Sequence, residues 1–357
     1  MNYKIIGGGI AGLASALAVA NAGSKATVFE KAVNFEPIGA GLQLGPNASR
    51  ALKTLGVWDA IKPFTYAPTE IHMRDGRSGK ILKRLTLGNT FEKRFGMPYL
   101  TAHRADLHQA LMQIASLNSK ITIKTNAEVP DLSMDGYERL IAADGVWSKA
   151  RENLFPGNSA ITTADTYFRT LLPMPSNSGD VNFENVNLWL YPGGHVVHYP
   201  VGNPAQLNLI AITDGTEPNI FFEDASENLQ GVMALPIQFS KWKSAYVPTL
   251  KQWHQGNITL IGDAAHATLP YLAQGAAMAL EDAALLQAEI RSNVRTAFEN
   301  LTTKRLSRTR KLHQSTMRAG QIYHCSGAAA LSRNAALNLA PSQIIQNQLN
   351  WIYNYKI

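Results

Sequence analysis

The first residues whose spacing could do chemistry are three glycines near the N-terminus. Gly7, Gly9 and Gly12 form a G-x-G-x-x-G motif between the apolar segment YKII and a helical segment, and Glu30 follows eighteen residues later. The first glycine permits a tight turn, the second lets backbone approach a pyrophosphate, and the third lets helix and strand pack closely. Free N–H groups at the helix start can hold a diphosphate, and Glu30 can accept hydrogen bonds from a ribose. The motif predicts dinucleotide binding without separating NAD from FAD, through Gly7, Gly9, Ile10, Ala11, Gly12, Glu30 and Lys31.

A histidine and a tyrosine lie four residues apart in the segment GHVVHYP. Residues separated by four share one face of a strand, so His195 and Tyr199 are predicted to point the same way and His198 the opposite way. Histidine can take up and return a proton near neutral pH, and this makes His195 a candidate base. The structural alternatives are a hydrogen-bonded histidine after a glycine turn and a half-buried strand tyrosine.

Two aspartates each follow a short apolar segment. Asp144 follows LIAA at the start of DGVWSKAR, and Asp263 follows ITLI within GDAAH. Together with His266 they show none of the paired spacings typical of metal ligands, so no metal site is predicted. The G-x-S-x-G pattern of hydrolases is also absent, and no second G-x-G-x-x-G follows the first.

The pattern of apolar residues predicts α/β segments on both sides of a β-rich insert at about 160–250. A hairpin is predicted over 71–86, around Asp75-Gly76 or Ser78-Gly79. The predicted strands are 3–6, 26–30, 139–143, 186–191, 196–201, 206–213 and 258–261. The predicted helices are 10–22, 104–116, 275–290 and most of the last seventy residues.

Taken in order, these motifs resemble the single-component flavin-dependent aromatic hydroxylases of the salicylate, 3-hydroxybenzoate and 6-hydroxynicotinate hydroxylase type. The glycine motif, the D-G-x-x-S-x-x-R motif at 144–151 and the G-D motif at 262–263 match that family. The resemblance extends to RADL at 104–107, GAGLQLGPNA at 39–48, IYHCSG at 322–327 and WIY at 351–353.

The resemblance implies FAD as the cofactor. Asp263 would accept hydrogen bonds from the ribityl chain, and Asp144 would support both FAD and the reductant site. The helix from Gly275 would direct the positive end of its dipole at the flavin pyrimidine ring. The other implied contacts are Gln43, Arg104 and Ala276.

For the substrate pocket, the resemblance implies three residues. His195 would remove the proton from a phenolic hydroxyl, Tyr199 would orient the phenol or a carboxylate, and Gln274 would be a third pocket residue. The fold implied is α/β: a Rossmann-like FAD-binding domain with an inserted β-sheet substrate domain and a helical C-terminal segment. The expected boundaries are 1–70, 95–160 and 250–290 for the first, 71–94 and 161–249 for the second, and 291–357 for the third.

The net charge of +7 comes from one segment. Residues 291–320 hold eight basic residues and one acid, and the rest of the chain balances at 25 basic and 25 acidic residues. The segment lacks any nucleic-acid-binding motif, so no nucleic-acid partner is predicted. It is interpreted as mainly a solvated helix face, with arginines that bridge the domains.

The single cysteine, Cys325, excludes an intramolecular disulfide and suits a reducing compartment. Apolar runs are too short for a membrane span, and glycines interrupt the N-terminal apolar stretch where a signal peptide would be continuous. The expectation is a cytoplasmic monomer or homodimer without a membrane partner.

The sequence therefore favours an FAD-dependent monooxygenase that uses NADH or NADPH and O₂ to hydroxylate a small aromatic or N-heteroaromatic acid or phenol. Resemblance implies that oxygen transfer proceeds through a flavin C4a-hydroperoxide. The alternatives are a hydroxylase of a quinone precursor, a non-oxygenating FAD reductase and a non-enzymatic flavin-binding module.

Overall fold

Three β-sheets organise the chain in the computed structural model, which describes residues 1–33, 41–176, 180–235 and 238–357. Residues 39–40, which begin the segment 39–48, lie outside the described residues. The strands are β1 Asn2–Ile6, β2 Lys25–Phe29, β3 Gly41–Leu44, β4 Thr65–Tyr66, β5 Glu70–Asp75, β6 Ile81–Thr86, β7 Leu100–His103, β8 Ile121–Lys124, β9 Arg139–Ala142, β10 Ile161–Pro173, β11 Val186–Tyr191, β12 Gly194–Val201, β13 Gln206–Thr213, β14 Ser240–Tyr246, β15 His254–Gln255 and β16 Ile258–Leu260.

Helices surround these sheets and dominate the C-terminal part. They are α1 Ile10–Asn21, α2 Pro46–Leu55, α3 Trp58–Ile61, α4 Gly88–Phe95, α5 Arg104–Ser116, α6 Lys149–Leu154, α7 Pro218–Phe221, α8 Glu227–Met233, α9 Asp263–His266, α10 Gly275–Asn293, α11 Ala297–His324, α12 Gly327–Leu339, α13 Ser342–Gln348 and α14 Asn350–Tyr353, with 3₁₀ turns at Lys62–Phe64 and Pro270–Leu272. Within the described ranges, no helix is long and apolar enough to cross a membrane.

The first sheet brings the nucleotide motifs together. Its order is β15-β16-β9-β1-β2-β8, and all neighbours are parallel except β15 and β16. Strand order reverses between β1 and β9, which is where ligands bind in open α/β sheets. The residues after the carboxyl ends of β1, β2, β9 and β16 therefore share one edge: Gly7, Glu30, Asp144 and Asp263. Buried side chains of α1 and α10, such as Leu13, Leu17 and Leu280, pack behind it.

The second sheet carries the predicted substrate residues. Its order is β14-β10-β13-β12-β11-β5-β6, antiparallel throughout except for the parallel pair β5 and β11. The β5–β6 hairpin, with its turn between Asp75 and Lys80, thus extends a sheet whose other strands lie about a hundred residues later. β3, β7 and β4 form a small third sheet, and β12 pairs with β11 and β13 in the middle of the second. The division into domains at the expected boundaries stays a prediction.

Six of the eight basic residues in the segment 291–320 are exposed, as expected for a mainly solvated face, and the two buried exceptions are arginines. Arg305 is fully buried and Arg308 is 7% exposed, and both face carboxylates of α10. Arg305 Nε donates to Asp282 Oδ1 at 2.6 Å, and Arg308 donates to both oxygens of Glu281 at 2.7 Å. A buried arginine is tolerated only when it is paired, so α10 and α11 are joined by a buried ion cluster. Lys304 keeps the predicted exposure, although it pairs with Glu289 at 2.6 Å.

Candidate functional site

A cavity of about 300 Å³ lies at the carboxyl edge of the parallel sheet. We call it the nucleotide cavity. The predicted residues that line it are Gly7, Gly9, Glu30, Lys31 and Asp144. Glu30 Oε2 accepts a hydrogen bond from the Gly8 backbone N–H at 2.7 Å, and this contact fixes the carboxylate against the glycine turn.

The three glycines of the motif have different structural roles. Gly7 has a φ of +98°, and a Cβ there would lie 2.4 Å from the carbonyl oxygen of Ala143. A Cβ on Gly12 would lie 1.8 Å from the carbonyl oxygen of Gly7, while a Cβ on Gly9 would meet nothing within 4 Å. Gly7 and Gly12 are thus required by the fold itself, whereas Gly9 keeps space open in the cavity.

We expect the two glycines to separate folding from cofactor binding. Gly12→Ala forces backbone apart and should lower the free energy of unfolding by about 3 kcal/mol or more. Gly9→Ala should leave the urea midpoint close to that of the wild type and weaken FAD binding at least tenfold, since the methyl group enters ligand space. Urea titration and FAD titration of each variant check this. Equal loss of stability in both variants would contradict it.

A second cavity of about 340 Å³ continues from the first and shares Gly9, Ala143 and Gly145 with it. We call it the central cavity. It gathers predicted residues from five separate segments: Gly9, Ile10, Ala11, Gln43, Arg104, Asp263, Gly275 and Ala276. Gly275 opens the nineteen-residue helix α10, whose N-terminus therefore presents the positive end of its dipole to the cavity.

Asp263 lies on the wall of the central cavity with its side chain exposed to it. Desolvation by the surrounding protein raises the pKa of the Asp263 carboxyl above its ordinary value, while the charges of His266 and Arg104 oppose this shift. Arg104 begins α5 and makes no hydrogen bond to another described residue, although a helix N-terminus disfavours a cation. An acceptor-rich ligand would suit both side chains.

A third cavity of about 220 Å³ adjoins the central cavity on the face of the second sheet. We call it the aromatic cavity, because Tyr99, Tyr271, Tyr323 and Tyr353 line it. The residues that it shares with the central cavity are Gln43, Arg169, Val197, Ile210, Pro270 and Ala273. His195 lines the aromatic cavity and Tyr199 the central cavity, on the same face of β12 with Val197 between them.

His195 is held by a second histidine. Its Nδ1 lies 2.8 Å from Nε2 of His324, at the end of α11, and the rings of Tyr271 and Tyr323 pack against it. Burial lowers the pKa of His195 well below its ordinary 6.5, and the charge of His324 adds to this. The imidazole is therefore neutral at pH 7 and able to accept a proton.

Two further predicted residues have distinct environments. Tyr199 is buried, which raises the pKa of its phenol to about 12. Gln43 reaches both cavities and accepts a hydrogen bond from the hydroxyl of Tyr99. His198 lies on the other face of β12 between Phe183 and Trp189, where burial lowers its pKa to about 3.

Gln274 differs from its expected place in the substrate pocket. It is buried at the N-cap of α10, and its Oε1 accepts a hydrogen bond from Asn47 Nδ2 at 2.9 Å. The same amide group of Asn47 donates to Glu281, which ties Gln274 to the ion cluster. Gln274 is not among the described residues that line either the central or the aromatic cavity.

Three residues at the aromatic cavity were not predicted from the sequence. Arg169 and Tyr271 line its wall, and His324 contacts His195. A basic residue inside the apolar segment YFRTLL was an available signal for Arg169. His324 lies in the matching segment IYHCSG, but its contact with His195 spans 129 residues of chain. Within the described residues, no cluster of three or more metal-ligating side chains occurs.

The residues present fit FAD. The nucleotide and central cavities form one elongated space, and at Gly9, Gly145 and Gly275 a Cβ would meet nothing, so backbone can lie against a ligand. Asp144 Oδ1 is buried in the nucleotide cavity without a partner among the described residues, while Oδ2 accepts from the N–H of Ala150. Such an oxygen suits a ligand donor.

Comparison with known proteins shows the family of the chain. The FAD binding domain family matches residues 2–319. The chain is 31% identical to 3-hydroxybenzoate 6-hydroxylase of Polaromonas naphthalenivorans over 99% of this chain and 96% of that protein. It is 32% identical to 6-hydroxynicotinate 3-monooxygenase of Bordetella bronchiseptica over 79% of this chain and 80% of that one.

The fold has a close counterpart among solved structures. Klebsiella pneumoniae HpxO, complexed with FAD and uric acid, superposes with a TM-score of 0.84 at 21% identity over 99% of this chain and 97% of that one. The predicted α/β class is thereby confirmed. The chain belongs to the FAD binding domain family and, within it, to the FAD-dependent aromatic monooxygenases.

Proposed function

We propose that this protein uses NADH or NADPH and O₂ to hydroxylate a small aromatic or N-heteroaromatic acid or phenol. The observation that carries the proposal is the aromatic cavity, in which buried His195 lies next to the space that suits the flavin ring. A volume of about 220 Å³ suits a single substituted ring rather than a lipid-like quinone precursor. Bound FAD would take electrons from NADH or NADPH and supply them to O₂, which would provide the electrophilic oxygen.

The chain's own residues prepare the substrate. When His195 Nδ1 carries the proton and donates to His324 Nε2, the Nε2 lone pair of His195 is free to accept the phenolic proton. Removal of that proton enriches the ring in electrons, which an electrophilic oxygen requires. Hydrogen bonding to His324 lets the second ring share the positive charge that results.

Residues of the nucleotide and central cavities would bind and orient FAD. Glu30 would accept hydrogen bonds from the adenosine ribose, Asp263 from the ribityl chain, and the α10 N-terminus would stabilise negative charge on the reduced ring. Gln43, at the junction of the central and aromatic cavities, and Tyr199, on the wall of the central cavity, would orient the substrate against that ring. Water exclusion by the apolar walls strengthens each of these interactions.

A screen of aromatic acids and phenols tests the proposal. The FAD-loaded protein should oxidise NADH or NADPH faster with a subset of compounds, and those should yield a hydroxylated product with little peroxide. Stimulated oxidation that releases only peroxide with every compound would contradict hydroxylation. Failure to take up FAD at all would refute the whole assignment.

The buried position of His195 predicts an unusual pH dependence. Burial disfavours its cation and lowers its pKa, so the neutral base persists as the pH falls below 6.5. The groups that face it are His324, Tyr271 and Tyr323. With a substrate whose own groups ionise outside pH 5–8, kcat/KM should stay near its maximum at pH 6. If kcat/KM instead falls to half of its maximum already at pH 6.5 or above as the pH is lowered, a buried neutral base is contradicted.

A further inference from the structure

Arg169 is the one side chain charged at neutral pH among the described residues that line the aromatic cavity. The other polar lining groups are Gln43, the neutral His195 and tyrosine phenols, and no aspartate, glutamate or lysine belongs to the described wall. The cavity therefore has a positive electrostatic potential that no acidic side chain on its described wall balances.

The guanidinium of Arg169 has no partner within the described part of the chain. Its Nε is buried without a hydrogen bond, it forms no ion pair, and its guanidinium lies 5.9 Å from the centre of the Tyr167 ring. The three described arginines with no exposed surface are satisfied by contrast: Arg74 donates to Asn187 and backbone, Arg151 to three carbonyls, and Arg305 to two carboxylates.

An unpartnered, partly buried guanidinium is costly in a folded protein. Its Nε–H donor is out of contact with water, and burial disfavours the charge, which lowers the pKa of Arg169 below its ordinary value. A planar anion with two oxygens would satisfy the donors in the bidentate geometry for which arginine is suited. The cost is then recovered only when such a ligand is bound.

The sheet register places Arg169 and His195 on the same face of the second sheet, two strands apart. Arg169 pairs with Ile210 and His195 with Ile212, so β13 lies between the two strands that carry them. With strands about 4.8 Å apart and residues about 3.4 Å apart along a strand, the two Cα atoms are separated by roughly 12 Å. Side chains that converge from that distance leave room for one aromatic ring between a guanidinium and an imidazole.

We propose that Arg169 binds a carboxylate on the aromatic substrate, at the end of the ring away from the hydroxyl that faces His195. This inference rests on the proposed function and narrows its substrate class from acids and phenols in general to phenolic carboxylic acids. Arg169 is then the residue that selects an anionic ring over a neutral one of the same shape.

Matched ligand pairs test this without turnover. The FAD-loaded protein is titrated with isomeric hydroxybenzoates and with the corresponding hydroxybenzamides, which have the same shape but no charge, and binding is read from the flavin absorbance. Wild type should bind at least one acid roughly 10- to 100-fold more tightly than its amide, as expected for a charge-assisted bidentate pair.

Substitutions of Arg169 test whether this residue causes the preference for the acid. Arg169→Gln should reduce the acid-to-amide ratio to about one while amide and FAD affinities change little, and Arg169→Lys should restore part of the ratio. Lys243→Gln removes an exposed charge from neighbouring β14 and should change nothing. A ratio unchanged in Arg169→Gln, or a loss of FAD affinity in both Arg169 variants, would overturn the proposal; the second result would make Arg169 a flavin ligand.

The two proposals fail in different ways. Acid-selective binding that depends on Arg169, without any hydroxylated product, would keep the carboxylate site and refute the hydroxylase. Hydroxylation of acids and amides at the same relative rates in wild type and Arg169→Gln would keep the hydroxylase and refute the carboxylate site.

Discussion

Replacing Arg305 by methionine is expected to destabilise the fold by about 3–5 kcal/mol, because it leaves buried carboxylates without their main partner. Arg305 donates to Glu281 through one nitrogen and to Asp282 through another, and all three side chains are fully buried. Asp282 also accepts from His266 Nε2 at 2.6 Å and from the N–H of Gly262. The cluster thus joins α11 to α10 and to the G-D turn beside the central cavity.

The urea midpoint at pH 7 measures this effect. Arg310→Ala, which removes an exposed arginine from the same helix, is the matched control and should lie within about 0.5 kcal/mol of the wild type. A loss in Arg305→Met no larger than that of the control would show that the cluster contributes no stability. A methionine variant of wild-type stability would also remove the physical reason for the basic composition of α11.

The cluster also predicts how the effect depends on pH. Burial alone would raise the pKa values of Glu281 and Asp282, but Arg305, with Arg308 and His266, brings them below their ordinary values. Carboxylates whose folded pKa is lowered stabilise the fold above their unfolded pKa and lose that contribution as the pH falls through the folded value. The difference in stability between wild type and Arg305→Met should therefore shrink below about pH 4.

His195→Ala is expected to lower kcat by roughly a hundred- to ten-thousandfold, the usual contribution of a positioned general base. FAD affinity should stay within a few-fold of wild type, because His195 lines the aromatic cavity and not the central one. His254→Asn, which changes a half-buried histidine on β15, serves as the control and should keep full turnover.

The His195 variant separates a catalytic base from a structural histidine. A base predicts that substrates which enter as phenolates are hydroxylated by His195→Ala at nearly the wild-type rate, so that activity rises with pH toward the phenol pKa. If His195→Ala loses the same fraction of activity at every pH and also has a lower urea midpoint, His195 only supports the packing of Tyr271 and Tyr323.

Local patterns predict several elements of both large sheets and their helices. The helix predicted over 104–116 is α5, and the strands predicted over 186–191 and 206–213 are β11 and β13 with the same bounds. These elements follow from periodicity and turn residues within a few positions, which is information that a short segment contains. The glycine spacing likewise encodes close contact between Gly12 and Gly7.

Contacts between distant segments were not predictable in this way. The pairing of β5 with β11, the hydrogen bond between His195 and His324, and the burial of Arg305 depend on which faces meet after folding. An arginine on a helix has the same local pattern whether it faces water or a buried glutamate, so the sequence does not show which arginines of the segment 291–320 are buried. Arg169 was not predicted as a site residue for the same reason. Its lack of a hydrogen-bond partner depends on which distant segments line the cavity around it.

The origin of the new oxygen atom in the product decides whether this protein is a hydroxylase. The FAD-loaded protein is supplied with NADH or NADPH, an acid identified by the screen, and isotopically labelled O₂, and the product is examined by mass spectrometry. We expect a hydroxylated ring with one labelled oxygen for each reductant consumed in coupled turnover. A product without the label, or reductant consumed only to form labelled peroxide, would contradict it.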